Sequence, residues 1–203
     1  MNYGETLAYW YLRFNGFFLI QNFVLHPLAD SEGSDKQAAD IDLLAVRFPY
    51  VYEETGGQPD DWDPRLRTWG FAPEEEIIGL IVEVKTSPHA ESAGIQQNSF
   101  NHIRIRQAVQ RLGMFQPEDA KLIADELKSI AVATRRGPYH VGKLLFSHSE
   151  LEGGWRNITL HEAETFIKNR LRKYSDPKRQ ARMFFPDELM QYLAWKAGES
   201  FSS

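Results

Sequence analysis

Apolar residues recur at three- and four-residue spacing over YGETLAYWYLRFNG (3–16). Leu7, Trp10, Tyr11 and Phe14 fall on one face of a predicted helix, Glu5 lies in its first turn, and Gly16 stands where it should stop. FFLIQNFVL (17–25) predicts a strand, and beyond a polar loop ADIDLLAVRF (39–48) predicts a second. IIGLIVEVKTS (77–87) predicts a third, apolar on both faces as a strand in the middle of a covered sheet is. From 100 to 115, FNHIRIRQAVQRLGMF places Ile105, Ala108, Val109 and Leu112 on one helical face. Arg104, Gln107 and Arg111 share the other, which is expected to be polar and basic. SIAVATRR (129–136) and VGKLLFSH (141–148), joined by GPYH, predict two more strands or a hairpin. NITLHEAETFIKNRLRKY turns from a short strand into a helix, and a last helix is predicted near Pro186.

Residues 51–76 break this rhythm. They are rich in Gly, Pro and acid and lack periodicity, which predicts an insertion or a long hairpin connection. DDWDP within it lacks the central Gly and late Glu of a calcium loop and reads as a solvated turn. There is no internal repeat, and a candidate boundary near 115–120 does not stop the two halves from packing together. The expected organisation is a domain over 1–150, with 51–76 inserted, and a mostly helical C-terminal extension over 151–203 packed on it.

The 203 residues are 42% hydrophobic, enough to bury one sizeable core. No apolar run approaches the roughly 18 residues of a membrane helix, and no signal-like pattern opens the chain, so a cytoplasmic protein without membrane contact is expected. The absence of cysteine excludes disulfides, thiolate metal sites and a cysteine nucleophile. The six histidines show no paired ligand spacing. A net charge of −5 argues against a protein that coats nucleic acid, but its distribution is uneven. Residues 27–76 hold 13 acidic against 4 basic side chains, whereas 168–183 hold 7 basic and one acidic. That basic run is either a solvated helix face or a nucleic-acid contact. Trp62, Trp69, Tyr50 and Tyr52 are base-stacking candidates if exposed and core residues if not.

Glu83 and Lys85 stand near the far end of the third strand, two residues apart, so they project from one face while Val84 points the other way. Burying them unpaired would be costly. They are therefore a structural ion pair, or they converge on a partner group at the rim of the sheet. Asp42, in DIDLLAV, would sit beside Glu83 if the second and third strands are neighbours. Two carboxylates that close repel unless they share a proton or a cation, and oxygen ligands suit Mg²⁺ or Mn²⁺.

An acidic residue on a first helix, Asp on a strand and Glu-x-Lys on the next is a pattern that resembles the PD-(D/E)XK nuclease superfamily. Over residues 1–115, GETLAYWYLRFNGFFLIQNFVL, DIDLLAV and LIVEVKTS are similar to its Holliday-junction resolvases and small bacterial nucleases. The resemblance implies a restriction-endonuclease-like α/β core, a central mixed sheet flanked by helices. It implies that Asp42 and Glu83 bind Mg²⁺ or Mn²⁺ with help from the Val84 carbonyl, that Lys85 is catalytic, and that Glu5 completes the acidic cluster. Asp40 shares a strand face with Asp42, and the choice of Asp42 rests on the family pattern. Arg104, Gln107 and Arg111 become candidates for contact with nucleic acid, Gln107 also as support for the metal site. The implied activity is metal-dependent hydrolysis of phosphodiester bonds, in DNA, with a bound metal acidifying a water and Lys85 stabilising the developing charge. A homodimer is the implied assembly, and the unmatched C-terminal region is a candidate contact for a protein partner. The rival reading is a nuclease-like fold that serves only as a binding module.

Overall fold

A computed structural model of the chain describes residues 2–25, 39–52, 58, 60–87, 94–129, 133–174 and 185–199. Six strands form one mixed sheet. β1 (Phe18–Leu25), β2 (Ala39–Arg47) and β3 (Ile77–Lys85) run antiparallel in that order, and β3 lies parallel to β5 (Tyr139–Ser147). The far side of β5 is shared by antiparallel β4 (Ala133–Arg136) near its start and parallel β6 (Asn157–Thr159) near its end. Helix α1 (Tyr3–Phe14) precedes the sheet. A short α2 (Arg65–Thr68) lies between β2 and β3, and α3 (His102–Leu112) and α4 (Pro117–Glu126) cross from β3 to β4. α5 (Leu160–Lys173) and α6 (Glu188–Glu199) close the chain.

Local chemistry fixes the ends of these elements. Asn2 caps α1 by accepting the Glu5 N–H at 3.0 Å, and the Glu5 carboxylate accepts the Asn2 N–H at 3.1 Å, a reciprocal capping box. Gly16, at φ +82°, turns the chain out of α1 as expected. Gly137, at φ +56°, makes the tight turn between β4 and β5.

The sheet is covered on both faces. Ile78, Leu80, Val82 and Val84 of β3 join the core formed under α1 and α5, with α6 packed on α5, while Ile81 joins the core of Ile105, Ala108 and Val109 of α3 and Ala120 and Ile123 of α4. This explains the unbroken apolar run of β3. α4 departs from the sequence pattern, in which Pro117 and the acids after it mark only a candidate boundary: Ala120, Ile123 and Ala124 complete the second core. α1 approaches β3 so closely that a Cβ on Gly4 would lie 2.6 Å from Thr86 Cγ2 and 3.1 Å from Val84 Cγ1. That contact brings Glu5 to the C-terminal end of β3.

The largest correction concerns 51–76. Residues 53–57 and 59 lie outside the described residues, but DDWDP is no solvated turn: Asp61, Trp62 and Asp63 are buried. Asp63 accepts from Tyr11 Oη at 2.7 Å and is bridged by Arg65 Nη2 at 2.8 Å, while its N–H donates to Asn15 Oδ1 at 2.7 Å. Trp62 stacks on the fully buried guanidinium of Arg47, 3.8 Å from the ring centroid, which removes Trp62 as a base-stacking surface. Asp61 is bound by Arg170, by Lys173 Nζ at 2.6 Å and by Tyr174 Oη. The acidic middle of the chain thus faces the start of the basic run, and Arg170 is a buried structural cation. Residues 175–184 of that run lie outside the described residues.

Tyr50 and Tyr52 are 92% and 74% exposed, but they follow the end of β2 remote from Asp42. The strand from Asp42 to Arg47 alone spans roughly 16 Å. Among the described residues no helix is long and apolar enough to cross a membrane.

Candidate functional site

β2 and β3 pair in register from Arg47↔Ile78 as far as Leu43↔Val82, and there the ladder ends. The next positions are Asp42 and Glu83. β2 peels away, and the Asp42 side chain takes over the role of a ladder carbonyl: Oδ2 accepts the Val84 N–H at 2.7 Å. The N–H and C=O of one strand residue project toward the same neighbour, so the Val84 carbonyl also faces the opening between the strands. Lys85 turns its own backbone to the other side, where its carbonyl accepts the His148 N–H at 3.0 Å.

Glu83 and Lys85 project together, as their spacing requires, and Lys85 Nζ donates to Glu83 Oε1 at 2.5 Å. Glu83 is only 5% exposed. A carboxylate buried to that extent needs several donors, and it has them. Ser99 Oγ donates to the same Oε1 at 2.7 Å, and Arg104 Nη2 stands 3.8 Å from Oε2. Ser99 was not singled out in the sequence. It closes a π-helical turn over Ile95–Ser99, a conformation with no periodic signature that often occurs at functional sites.

The charges of Asp42 and Glu83 are felt between them. Burial first, and then the neighbouring Glu83 charge, raise the Asp42 carboxyl to about 6, against the lowering effects of the Val84 N–H and Lys85. Glu5 adds a small push in the same direction, but its carboxylate is held by the α1 cap through Asn2. Among the described residues no group of three or more His, Asp or Glu is arranged to hold a metal ion, so the cluster is a pair with Glu5 beside it. Asp40 is exposed and pairs with Val24 on β1. Arg104 reaches the site from the first turn of α3, and Arg111, seven residues on, is exposed. Gln107, expected on a polar and basic face as a candidate nucleic-acid contact or support for the metal site, is instead buried at 1% exposure, and among the described residues neither its Oε1 nor its Nε2 has a hydrogen-bond partner.

The donors present suit a hard divalent cation. Among the described residues Asp42 Oδ1 accepts no hydrogen bond and Glu83 Oε2 has only the distant Arg104, and the Val84 carbonyl faces the same opening. All three are oxygens, two of them carboxylate, the donor set preferred by Mg²⁺ and Mn²⁺.

The chain matches no family model, no curated protein and no solved structure. The local chemistry must carry the reading.

The raised Asp42 carboxyl predicts a stability change of definite sign. Its folded-state value of about 6 exceeds the unfolded 3.8, so the folded protein holds this proton more tightly. The resulting stabilisation is complete below pH ~4 and is lost as pH rises through ~6. Asp42→Asn keeps an acceptor for the Val84 N–H but carries no charge. In metal-free buffer it is expected to stabilise the protein by about 1–2 kcal/mol at pH 8, with the gain vanishing near pH 4. Thermal melts with EDTA at the two pH values check this, and equal shifts at both would show that the carboxyl titrates normally.

Proposed function

We propose that the protein is a metal-dependent nuclease with a restriction-endonuclease-like core, hydrolysing phosphodiester bonds with DNA as the substrate. What carries this reading is the parting of β2 from β3 at Asp42 and Glu83, which leaves two carboxylates, a strand carbonyl and Lys85 around one opening. The antiparallel β1–β2–β3 unit followed by a crossover to parallel β5 is the arrangement expected of such a core.

Asp42 and Glu83, with the Val84 carbonyl, would hold Mg²⁺ or Mn²⁺. When bound, the metal neutralises phosphate charge and acidifies a water. The Lys85 ammonium, beside two carboxylates, stabilises negative charge as it builds on the phosphoryl oxygens. Asp42 and Glu83 fix the position of that charge relative to Lys85, and Arg104 at the rim is placed to meet a phosphate of the backbone. Because β3 is buried on both faces, the site has a rigid floor, which favours positioning. A homodimer and contact of the C-terminal region with a protein partner extend this proposal.

One observation favours a second reading, a nuclease-like module that only binds. Glu83 is already hydrogen-bonded by Lys85 and Ser99 and faced by Arg104, which is also how a structural ion-pair network looks. Incubating the protein with duplex, single-stranded and four-way-junction DNA in Mg²⁺ or Mn²⁺ separates the two. Metal-dependent cutting that is lost in Asp42→Asn and Lys85→Ala supports the enzyme. Binding without cutting, by a protein that takes up no metal in calorimetry, supports the module.

A further inference from the structure

The two oxygens of Glu83 are treated differently by the protein. Oε1 receives Lys85 Nζ and Ser99 Oγ, at 2.5 and 2.7 Å, whereas among the described residues Oε2 has no donor within hydrogen-bond distance, the nearest cationic group being Arg104 Nη2 at 3.8 Å. Two donors occupy the two lone pairs of Oε1, which restrains rotation of the carboxylate and leaves Oε2 as the oxygen for a cation. Lys85 alone would not fix it: its side chain is 32% exposed, and a long flexible stem can follow either oxygen. The Ser99 hydroxyl hangs from a short side chain whose backbone is pinned on both sides. Ile95, at the start of the turn, is 3% exposed and Phe100, just after it, 1%; both lie in the second core, and the Phe100 N–H donates to the Ile95 carbonyl at 3.0 Å. Arg104 is tied to the same turn by Nη1 donating to the Asn98 carbonyl at 3.0 Å. Carboxylate orientation at the site is thus set by the crossover that follows β3.

Resting on the nuclease reading, we infer that Ser99 is a positioning residue for the metal ligand Glu83: by occupying Oε1 it presents Oε2 to the cation, and Arg104 is the cationic group that the metal displaces from Oε2. No covalent step is involved. Outer hydrogen bonds to a ligating carboxylate commonly matter about 10- to 100-fold in metal affinity.

The test reads metal binding without DNA. Mn²⁺ titration calorimetry on the full chain is expected to show about tenfold weaker binding for Ser99→Ala, with a melting temperature near that of the native protein, and restoration by Ser99→Thr, which keeps the hydroxyl. Arg104→Gln is expected to bind Mn²⁺ more tightly than the native protein, because a competing cation is gone. Native-like Mn²⁺ affinity in a folded Ser99→Ala protein, while Glu83→Gln abolishes binding, would overturn the role of Ser99 and leave the nuclease reading standing. If the native protein binds no Mn²⁺ and cuts no DNA, the nuclease reading itself fails and Ser99 is a structural donor only.

Discussion

Lys85→Ala is expected to reduce metal-dependent DNA cleavage by about 10²–10⁴-fold, the usual worth of one preorganised charge or proton-handling group in a transition state. The same substitution should scarcely change stability. Lys85 is a third exposed, and Glu83 would still receive the Ser99 hydroxyl and lie near Arg104, so no buried charge is left alone. Mn²⁺ affinity should be held or raised, because a cation beside the ligands is removed. Asp42→Asn and Glu83→Gln behave differently: they should lose cleavage to a similar extent and weaken metal binding as well. Gel assays on labelled DNA, with thermal melts and Mn²⁺ titrations on the same preparations, separate these effects. If Lys85→Ala cleaved at the native rate while both carboxylate variants were inactive, Lys85 would be a structural counter-ion, and another group would have to supply the charge.

The parts of this site that could be seen in the sequence are those governed by strand geometry. The period of two puts Glu83 and Lys85 on one face, and the two-sided burial of β3 makes their charges conspicuous. Asp42 could be placed near Glu83 only by assuming that β2 and β3 are neighbours, which their register bears out up to Leu43↔Val82. Ser99 was invisible because a π-turn has no periodic signature and a serine in a polar stretch looks like any other. Gln107 was misplaced because amphipathic patterning sorts residues by polarity, whereas α3 buries an amide between two arginine positions. The solvated-turn reading of DDWDP fails for a related reason, although 51–76 does connect antiparallel β2 and β3 as expected. The acids of DDWDP look solvated until their partners, Tyr11, Arg170 and Lys173, are brought from elements 52 to 113 positions away.

That last network carries the largest stability prediction. Asp61→Ala is expected to cost about 3–5 kcal/mol, the usual penalty for stranding a buried charge. The Asp61 side chain is fully buried, and its removal leaves Arg170, 7% exposed, without its carboxylate; its guanidinium keeps the ring of Phe166, 5.0 Å away, and the weaker attraction of the exposed Asp60. Urea unfolding measures the loss. Asp60→Ala serves as the contrast: Asp60, 76% exposed, bonds Lys173 at 3.0 Å in solvent, so its removal should leave the transition nearly unchanged. A double replacement, Asp61→Leu with Arg170→Met, should recover most of the stability, since apolar packing commonly equals a buried ion pair. The functional consequence is separable from that at Lys85. Asp61 and Asp63 fasten the 60–63 segment to α1 and α5, and α1 lies over the end of β3 through Gly4. Asp61→Ala protein that is still folded at low temperature should therefore cleave at the native rate per folded molecule and lose activity only as it melts. A drop in cleavage well below its melting transition would instead mean that the network holds α1, and with it the charge of Glu5, at a distance from Asp42 on which the chemistry depends.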